Sequence, residues 1–220
     1  MILIETQDGS QSVLSEEFGV TYHSKYGAVQ ESRHVFIEEG LFLKTIGKKY
    51  LSILEMGFGT GLNAFLTLVE AEKLNISVHY CGVEKEPLKP EIINALQYPE
   101  FLDAADKEAQ FKALHQSSWN EEVAITDYFS LCKLHQPFSQ VELCAKYDLV
   151  YYDAFSPNVQ PEFWEEPMLR KVFEALLPKG VLVTYCAKGS FKRALKAVGF
   201  EVEALPGPPG KREMTRATKS

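Results

Sequence analysis

The chain has 220 residues, the length of one globular domain with room for a short appendage. Hydrophobic residues make up 45% of it and charged residues 24%, which excludes a disordered or collagen-like chain. The formal net charge of -7 excludes a protein that coats nucleic acid or membrane through bulk positive charge, although it leaves room for a local basic patch.

The four cysteines form no Cys-x-x-Cys pair and have no histidines at zinc-site spacing, so we predict neither a metal site nor redox chemistry. The apolar run at Ile2–Ile4 is too short for a signal peptide, and no segment reaches the roughly 18 apolar residues of a transmembrane helix. These features predict a cytoplasmic protein that does not associate with membranes.

Residues 1–50 contain short strand-like pieces at Val20–His23 and His34–Ile37, separated by Gly and Ser, and are predicted to form a small β extension of the main domain. From Leu51 onward, strand-like runs alternate with helical patterns, which is typical of an α/β fold with a mainly parallel sheet. The predicted strands are Leu51–Met56, Val78–Glu84, Val123–Thr126, Tyr147–Asp153, Val181–Cys186, Phe200–Ala204 and Lys211–Thr218.

The helical patterns fall between these strands, as a doubly wound, Rossmann-like sheet requires. We therefore predict a main domain over residues 51–220, with an antiparallel final strand, and an extension of the same domain over residues 1–50. The predicted helices are Leu62–Lys73, Glu91–Gln97, Ala104–His115, Glu162–Leu176 and Ser190–Val198.

A glycine-rich loop, E-M-G-F-G-T-G-L-N over Glu55–Asn63, stands where the first strand turns into the first helix. Glycines there let the backbone approach a ligand, and a helix N-terminus offers free N–H groups. A dinucleotide site would need G-x-G-x-x-G, but Leu62 occupies the place of the third glycine. The E-x-G-x-G-x-G arrangement is similar to the S-adenosylmethionine loop of class I methyltransferases. A tight turn that binds nothing is the alternative interpretation.

Two acidic residues follow later strands of the predicted sheet. Glu84 ends the second strand about 20 residues beyond the glycines, the interval at which an acid accepts hydrogen bonds from ribose hydroxyls in nucleotide-binding units. Asp127 follows the third strand, where class I methyltransferases often carry an acceptor for the adenine amino group. A solvated acid at Glu84 and a helix N-cap at Asp127 are the structural alternatives.

The sequence D-A-F-S-P, Asp153–Pro157, follows the fourth strand and is predicted to border the crevice in which doubly wound sheets bind ligands. Asp153 can orient an amine or take up its proton, and Phe155 can pack on a flat base. An aspartate that caps a turn, with Phe155 filling the core, is the alternative.

Five segments together resemble the methyltransferase domain of the MnmC/MnmD type, and the resemblance spans most of the chain, from about Tyr22 to Met214. That family makes the 5-methylaminomethyl-uridine, often 2-thiolated, at the wobble position of certain tRNAs. The segments are E-S-R-H-V-F (Glu31–Phe36), E-M-G-F-G-T-G-L-N (Glu55–Asn63), Y-Y-D-A-F-S-P (Tyr151–Pro157), G-S-F-K-R-A-L (Gly189–Leu195) and G-K-R-E-M (Gly210–Met214).

The resemblance implies a class I fold and methyl transfer from S-adenosylmethionine to the primary amine of 5-aminomethyl-uridine in tRNA, without a metal. Asp153 and Phe155 would serve the modified base. The family also has two-domain members with a flavin oxidoreductase, so this chain resembles the stand-alone form, and a separate enzyme would supply the free amine. The residues implied for the cofactor are Glu55, Gly57, Phe58, Gly59, Gly61, Asn63, Glu84 and Asp127.

Positive charge is concentrated at the end of the chain, because residues 187–220 carry eight Lys and Arg against three acidic residues. A compact basic patch there would hold the anticodon arm of tRNA by its phosphates, whereas a solvated surface is the alternative. The residues predicted to contact tRNA are Arg33, Lys188, Lys192, Arg193, Lys211 and Arg212.

Three other functions compete with this interpretation. An NAD-dependent oxidoreductase would share the first βαβ unit but needs the missing glycine spacing. A non-catalytic nucleotide-binding module would not need the sequence at Asp153–Pro157. An S-adenosylmethionine-dependent N-methyltransferase of a small-molecule amine is the nearest rival, because the same cofactor loop serves many substrates.

Overall fold

The computed structural model describes all 220 residues. The chain begins with a three-stranded antiparallel sheet, followed by a helical segment that runs without a break through a π-helical stretch, Arg33–Leu41. The elements of this region are β1 (Ile2–Glu5), β2 (Gln11–Ser15), β3 (Val20–Thr21), α1 (Ala28–Ser32) and α2 (Phe42–Thr45).

An eight-stranded sheet forms the centre of the molecule, in the order β10-β11-β9-β8-β4-β5-β7-β6. The five strands from β9 to β7 in that order are parallel, and β11 pairs antiparallel between β9 and β10. Their bounds are β4 (Tyr50–Met56), β5 (Ser77–Glu84), β6 (Glu122–Thr126), β7 (Phe129–His135), β8 (Tyr147–Tyr152), β9 (Leu176–Thr184), β10 (Phe200–Pro206) and β11 (Glu213–Lys219).

Helices cover both faces of the sheet, because alternate strand residues point to opposite sides and both sides are apolar. Ile53 of β4 belongs to the core cluster that includes the π-helical stretch, while its neighbour Leu54 belongs to the cluster on the other face. The remaining helices are α3 (Leu62–Leu74), α4 (Pro90–Ala95), α5 (Tyr98–Phe101), α6 (Glu108–Gln116), α7 (Glu166–Ala175) and α8 (Gly189–Val198). None of the helices combines the length and the apolarity that crossing a bilayer requires.

The predicted fold class is confirmed, including the antiparallel final strand and the small N-terminal sheet. The prediction of a strand at His34–Ile37 is wrong, since these residues are helical. Val35, Phe36 and Ile37 are buried against the sheet, and this packing outweighs their β propensity. Gly40 permits the close approach, because a Cβ there would lie 3.0 Å from a methyl group of Val183.

The third strand of the parallel sheet was also predicted wrongly. The segment Val123–Thr126 belongs to β6, an antiparallel edge strand, and β7 is the strand that pairs parallel with β5. Lys133 stands at a fully buried position of β7, so the apolar alternation that marks a half-buried strand is interrupted there.

The order of the strands reverses at β4, whose neighbours are β5 on one side and β8 on the other. At this switch point the loops after β4 and β8 diverge to opposite faces of the sheet and leave a crevice. The two loops touch, because the Asp153 amide donates to the Met56 carbonyl oxygen at 3.2 Å. The crevice is therefore bordered by both of the motifs that the sequence singled out.

Candidate active site

A cavity of about 790 Å³, open to solvent, lies at this switch point. The loop after β4, the ends of β5 and β7, the loop after β8 and the N-terminal region each contribute to its wall. The predicted residues that line it are Gly57, Phe58, Gly59, Asn63, Glu84, Asp153 and Phe155.

The glycine loop follows β4 and has a backbone that side chains would not tolerate. Gly57, Gly59 and Gly61 have φ values of +87°, +49° and +71°. A Cβ on Gly57 would lie 3.1 Å from the Asp153 carbonyl oxygen, and one on Gly59 would lie 2.9 Å from the ring of Tyr22. Glycine is therefore required both by the backbone conformation and by the closeness of the neighbouring residues.

Glu84, at the end of β5, is tied to the glycine loop. One of its carboxylate oxygens accepts from the Gly59 amide at 3.0 Å, and the other accepts from the Glu86 amide at 2.8 Å. Burial raises the pKa of Glu84, while these amide donors oppose the increase. Each oxygen keeps a further lone pair, so the carboxylate can still accept hydrogen bonds from a ligand in the cavity.

Asn63, in the first turn of α3, connects two carboxyl groups. Its side-chain nitrogen donates to Glu55 Oε1 at 2.9 Å and to Asp153 Oδ2 at 2.8 Å. Burial raises the pKa of Glu55 and the pKa of Asp153 well above their usual ranges, and the hydrogen bond from Asn63 only partly opposes the rise. Two buried oxygens of this cluster, Glu55 Oε2 and Asn63 Oδ1, have no hydrogen-bond partner, which is costly unless a ligand or water supplies one.

Phe58 and Gly61 pack the glycine loop against the rest of the protein. The ring of Phe58 packs against Gly82, where a Cβ would approach it to 2.7 Å, and Phe58 also lines the cavity. Gly61 lies against His115, whose Nε2 is 3.1 Å from the Thr60 carbonyl oxygen. Phe58 and Gly61 therefore fix the shape of the loop.

Asp127 is not at this site, and the expectation that it follows a parallel strand at the ligand edge is wrong. It lies in the hairpin turn between β6 and β7, beside the start of β5. The opposite end of β7 reaches the cavity, where Gln136, Pro137 and Phe138 line the wall instead. Asp127 therefore lies at the other end of the sheet, because the strand that precedes it, β6, runs antiparallel to β7.

The loop Asp153–Pro157 is held in place by aromatic residues. The Trp164 indole N–H donates to the Phe155 carbonyl oxygen at 2.9 Å, and the Tyr185 hydroxyl donates to the Ala154 carbonyl oxygen at 2.8 Å. The ring of Phe155 contacts those of Tyr22 and Phe18, with centroid distances of 5.0 and 5.2 Å. Phe155 therefore forms part of an aromatic wall that contains residues of the N-terminal region.

Tyr22 and His23 of the N-terminal region also line the cavity, and no motif in the sequence indicated them. The His23 side chain forms a hydrogen bond of 2.7 Å between its Nε2 and Thr60 Oγ1 in the glycine loop. Burial lowers the pKa of His23 to about 4, so its ring is neutral at pH 7. The N-terminal region is therefore part of the site and is hydrogen-bonded to the glycine loop.

The predicted basic residues divide into two groups. Lys188, Lys211 and Arg212 line an open hollow beside the loop after β8, and Lys192 pairs with Glu213 of the same hollow at 2.7 Å. Arg193 is exposed on α8, next to this hollow. Arg33 is separate: it lies on the π-helical stretch, on the opposite face of the sheet from α8, and pairs with Glu70 at 3.5 Å.

Comparison with known proteins agrees with this geometry. Residues 97–220 match the family described as S-adenosyl-L-methionine-dependent methyltransferase. The crystal structure of MNMC2 from Aquifex aeolicus superposes with a TM-score of 0.78 at 29% identity, covering 98% of this chain and 69% of that one.

Two curated relatives are bifunctional proteins named for tRNA 5-methylaminomethyl-2-thiouridine biosynthesis, MnmC. The protein from Aromatoleum aromaticum is 32% identical over 96% of this chain, and the one from Cupriavidus metallidurans is 31% identical over 92%. The chain spans about a third of their length, 34% and 32% respectively. The family match over more than half of the chain settles its membership: this chain belongs to the S-adenosyl-L-methionine-dependent methyltransferases.

Proposed function

We propose that the chain transfers a methyl group to the primary amine of 5-aminomethyl-uridine, with or without the 2-thio group, at the wobble position of tRNA. The observation that carries the proposal is the contact between the glycine loop and the loop Asp153–Pro157 at one switch point. A cofactor and an acceptor bound to these two loops would share one cavity. The names of the curated relatives support the choice of acceptor.

The cavity fits S-adenosyl-L-methionine by its donor and acceptor groups. Glu55 lies behind Asn63 and does not itself line the cavity, but its buried Oε2 has no partner and suits the cationic amino-acid end of the cofactor through water. Glu84 suits ribose hydroxyls, and Gly57 and Gly59 place the backbone of the glycine loop in the cavity wall. When bound, the cofactor supplies a methyl group on a positively charged sulfur, which an amine lone pair takes while the carbon–sulfur bonding pair stays with sulfur.

Asp153 is the residue that we propose for the acceptor amine. A primary alkylamine is mostly protonated at pH 7 and has no free lone pair in that form. An ionised Asp153 carboxylate attracts the ammonium group, takes up one of its protons and holds the neutral amine in the orientation set by Asn63. Positioning of this kind contributes a large part of the rate in transfers that need no covalent enzyme intermediate. Phe155, with Tyr22, offers an aromatic surface to the uracil ring.

The hollow lined by Lys188 and Arg212 adjoins this loop and suits tRNA phosphates, which bind to exposed Lys and Arg. A separate enzyme would supply the aminomethyl group on the uridine, in the cytoplasm. All four cysteines are free, as proteins of a reducing compartment require.

The proposal is tested with purified protein, S-adenosyl-L-methionine carrying a labelled methyl group, and one tRNA prepared in two forms. One form carries 5-aminomethyl-uridine at the wobble position, and the control form carries unmodified uridine there. We expect label in the first form alone, at the wobble nucleoside. Label in neither tRNA, together with methylation of a free small amine, would favour the small-molecule methyltransferase instead.

A further inference from the structure

An ion pair between distant parts of the chain lies beside the proposed acceptor loop. Lys211 precedes β11 in the chain. Its ammonium group donates to a carboxylate oxygen of Glu31 in α1. The other Glu31 oxygen accepts from the Ser24 amide at 2.9 Å, and only 5% of Glu31 is exposed. Glu31 is thus a buried carboxylate with a fixed orientation and a single cationic partner.

This pair is connected to Asp153 through Tyr185. The Lys211 ammonium lies 3.9 Å from the centre of the Tyr185 ring, and the Tyr185 hydroxyl donates to the carbonyl oxygen of Ala154, the residue after Asp153. Lys211 also lines the hollow that Ser156 and Pro157 border. The pair therefore lies behind the loop Asp153–Pro157, outside the cavity wall itself.

A buried ion pair is weak evidence for a role in stability, because desolvation of the two charges offsets most of their attraction. The Lys211 ammonium is already engaged by Glu31 and by the Tyr185 ring, unlike the exposed side chain of Arg212. Its position fits a role at the acceptor site better than the contact with tRNA phosphates predicted from the sequence.

We propose that Glu31 and Lys211 are positioning residues that set the charge of Asp153 for an incoming cationic amine. This inference rests on the proposed function. Glu31 adds negative charge near Asp153 and strengthens its attraction for an ammonium group and for a proton. Lys211 limits that effect, so that Asp153 still ionises and can take the proton from the amine nitrogen.

The groups around Asp153 come from every element packed against it, and their effects have known directions. Burial raises the pKa of Asp153, the charge of Glu31 raises it further, and Lys211 and the hydrogen bond from Asn63 lower it. The other titratable groups that interact electrostatically with Asp153 or with this pair are Glu55 of β4, Tyr80 of β5, Tyr185 and Cys186 after β9, and the neutral His23.

Three variants test the inference: Glu31→Gln, Lys211→Met and the double variant. Catalysis needs ionised Asp153, so activity falls on the acidic side of the pH profile as Asp153 becomes protonated. Loss of the negative charge in Glu31→Gln lowers the pKa of Asp153, and the acidic limb moves to lower pH. Loss of the positive charge in Lys211→Met raises it, and the limb moves to higher pH. Each shift should be about half a pH unit or more, and the double variant should return towards the wild type.

The profile is measured as kcat/KM for the tRNA carrying 5-aminomethyl-uridine. Glu72→Gln and Lys107→Met, which break a pair of 2.7 Å between α3 and the segment before α6, serve as controls and should leave the limb unmoved. Cofactor affinity and thermal unfolding confirm that each variant folds.

Limbs that coincide with the wild type, or that move in the same direction in both single variants, would overturn the inference and leave the proposed function intact. A wild-type protein that does not methylate this tRNA would instead overturn the proposed function.

Discussion

The two halves of the cavity are assembled differently, although they meet at one switch point. The half proposed for the cofactor comes mainly from nine consecutive residues, Glu55–Asn63, and from Glu84 of the next strand. The half proposed for the acceptor joins Tyr22 of the N-terminal region to Asp153 and Phe155, and the pair of Glu31 and Lys211 supports it from behind. A local motif can therefore define where the cofactor binds, while the acceptor site exists only after the chain has folded.

The largest effect is expected in the acceptor half, where a substitution should lower turnover and leave cofactor binding nearly unchanged. Asp153→Asn keeps an oxygen that can accept from Asn63 but cannot take a proton from an ammonium group. We expect kcat to fall by about 100-fold or more, the usual contribution of a general base, while cofactor affinity changes by less than about threefold. Single-turnover kinetics and calorimetric titration measure the two quantities. An equal loss of both would place Asp153 in the cofactor half.

The second largest effect is expected in the cofactor half, where a substitution should weaken cofactor binding. Gly57→Ala places a Cβ 3.1 Å from the Asp153 carbonyl oxygen at a φ of +87°, so we expect cofactor affinity to fall by roughly tenfold or more. Gly47→Ala is the matched control, because its φ is +72° but nothing lies within 4 Å of the added carbon. Calorimetric titration should show normal affinity in the control. Similar losses in both variants would mean that backbone strain alone, and not the contact between the loops, determines binding.

The two halves of the cavity also differ in how well they can be predicted from the sequence. The glycine loop and the sequence D-A-F-S-P were found because each is contiguous and follows a recognisable strand. Tyr22 and Glu31 were not identified as site residues, since nothing in their local sequence indicates which loop they approach in the folded protein. Asp127 was misplaced because the buried Lys133 interrupted the apolar pattern of β7.

The third prediction concerns the effect of Lys133, which lies beside Phe58 of the glycine loop, on the stability of the protein. Lys133 is fully buried, its ammonium lies 4.5 Å from the centre of the Trp119 ring and 5.9 Å from that of Phe58, and it has no carboxylate partner. Burial lowers its pKa to about 8 from 10.5. Between these two values the unfolded chain binds more protons than the folded one, so stability rises with pH in that window.

Relative to Lys133→Met, the free energy of unfolding of the wild type should therefore increase by about 1 to 2 kcal/mol between pH 7 and pH 9.5. Chemical denaturation of both proteins at the two pH values measures the difference. A difference that does not change with pH would mean that the Lys133 ammonium is as well solvated in the folded protein as in the unfolded chain.

The smallest effect is expected in the open hollow beside the loop Asp153–Pro157, which we propose binds tRNA phosphates. Arg212→Ala should weaken tRNA binding several-fold and reduce the slope of log affinity against log salt by about one, as expected for one lost phosphate contact. Lys196→Ala, an exposed residue of α8 outside the hollow, is the control and should change neither. Binding by the wild type that does not depend on salt would contradict the proposed phosphate contacts.

The most direct test of the account is nucleoside mass spectrometry of tRNA from cells that lack this chain, with the wild type or Asp153→Asn supplied in turn. We expect 5-aminomethyl-uridine, thiolated or not, to accumulate in the deficient cells at the expense of its N-methylated form. The wild type should restore the methylated nucleoside, and Asp153→Asn should not. An unchanged amount of the methylated nucleoside in the deficient cells would contradict the account.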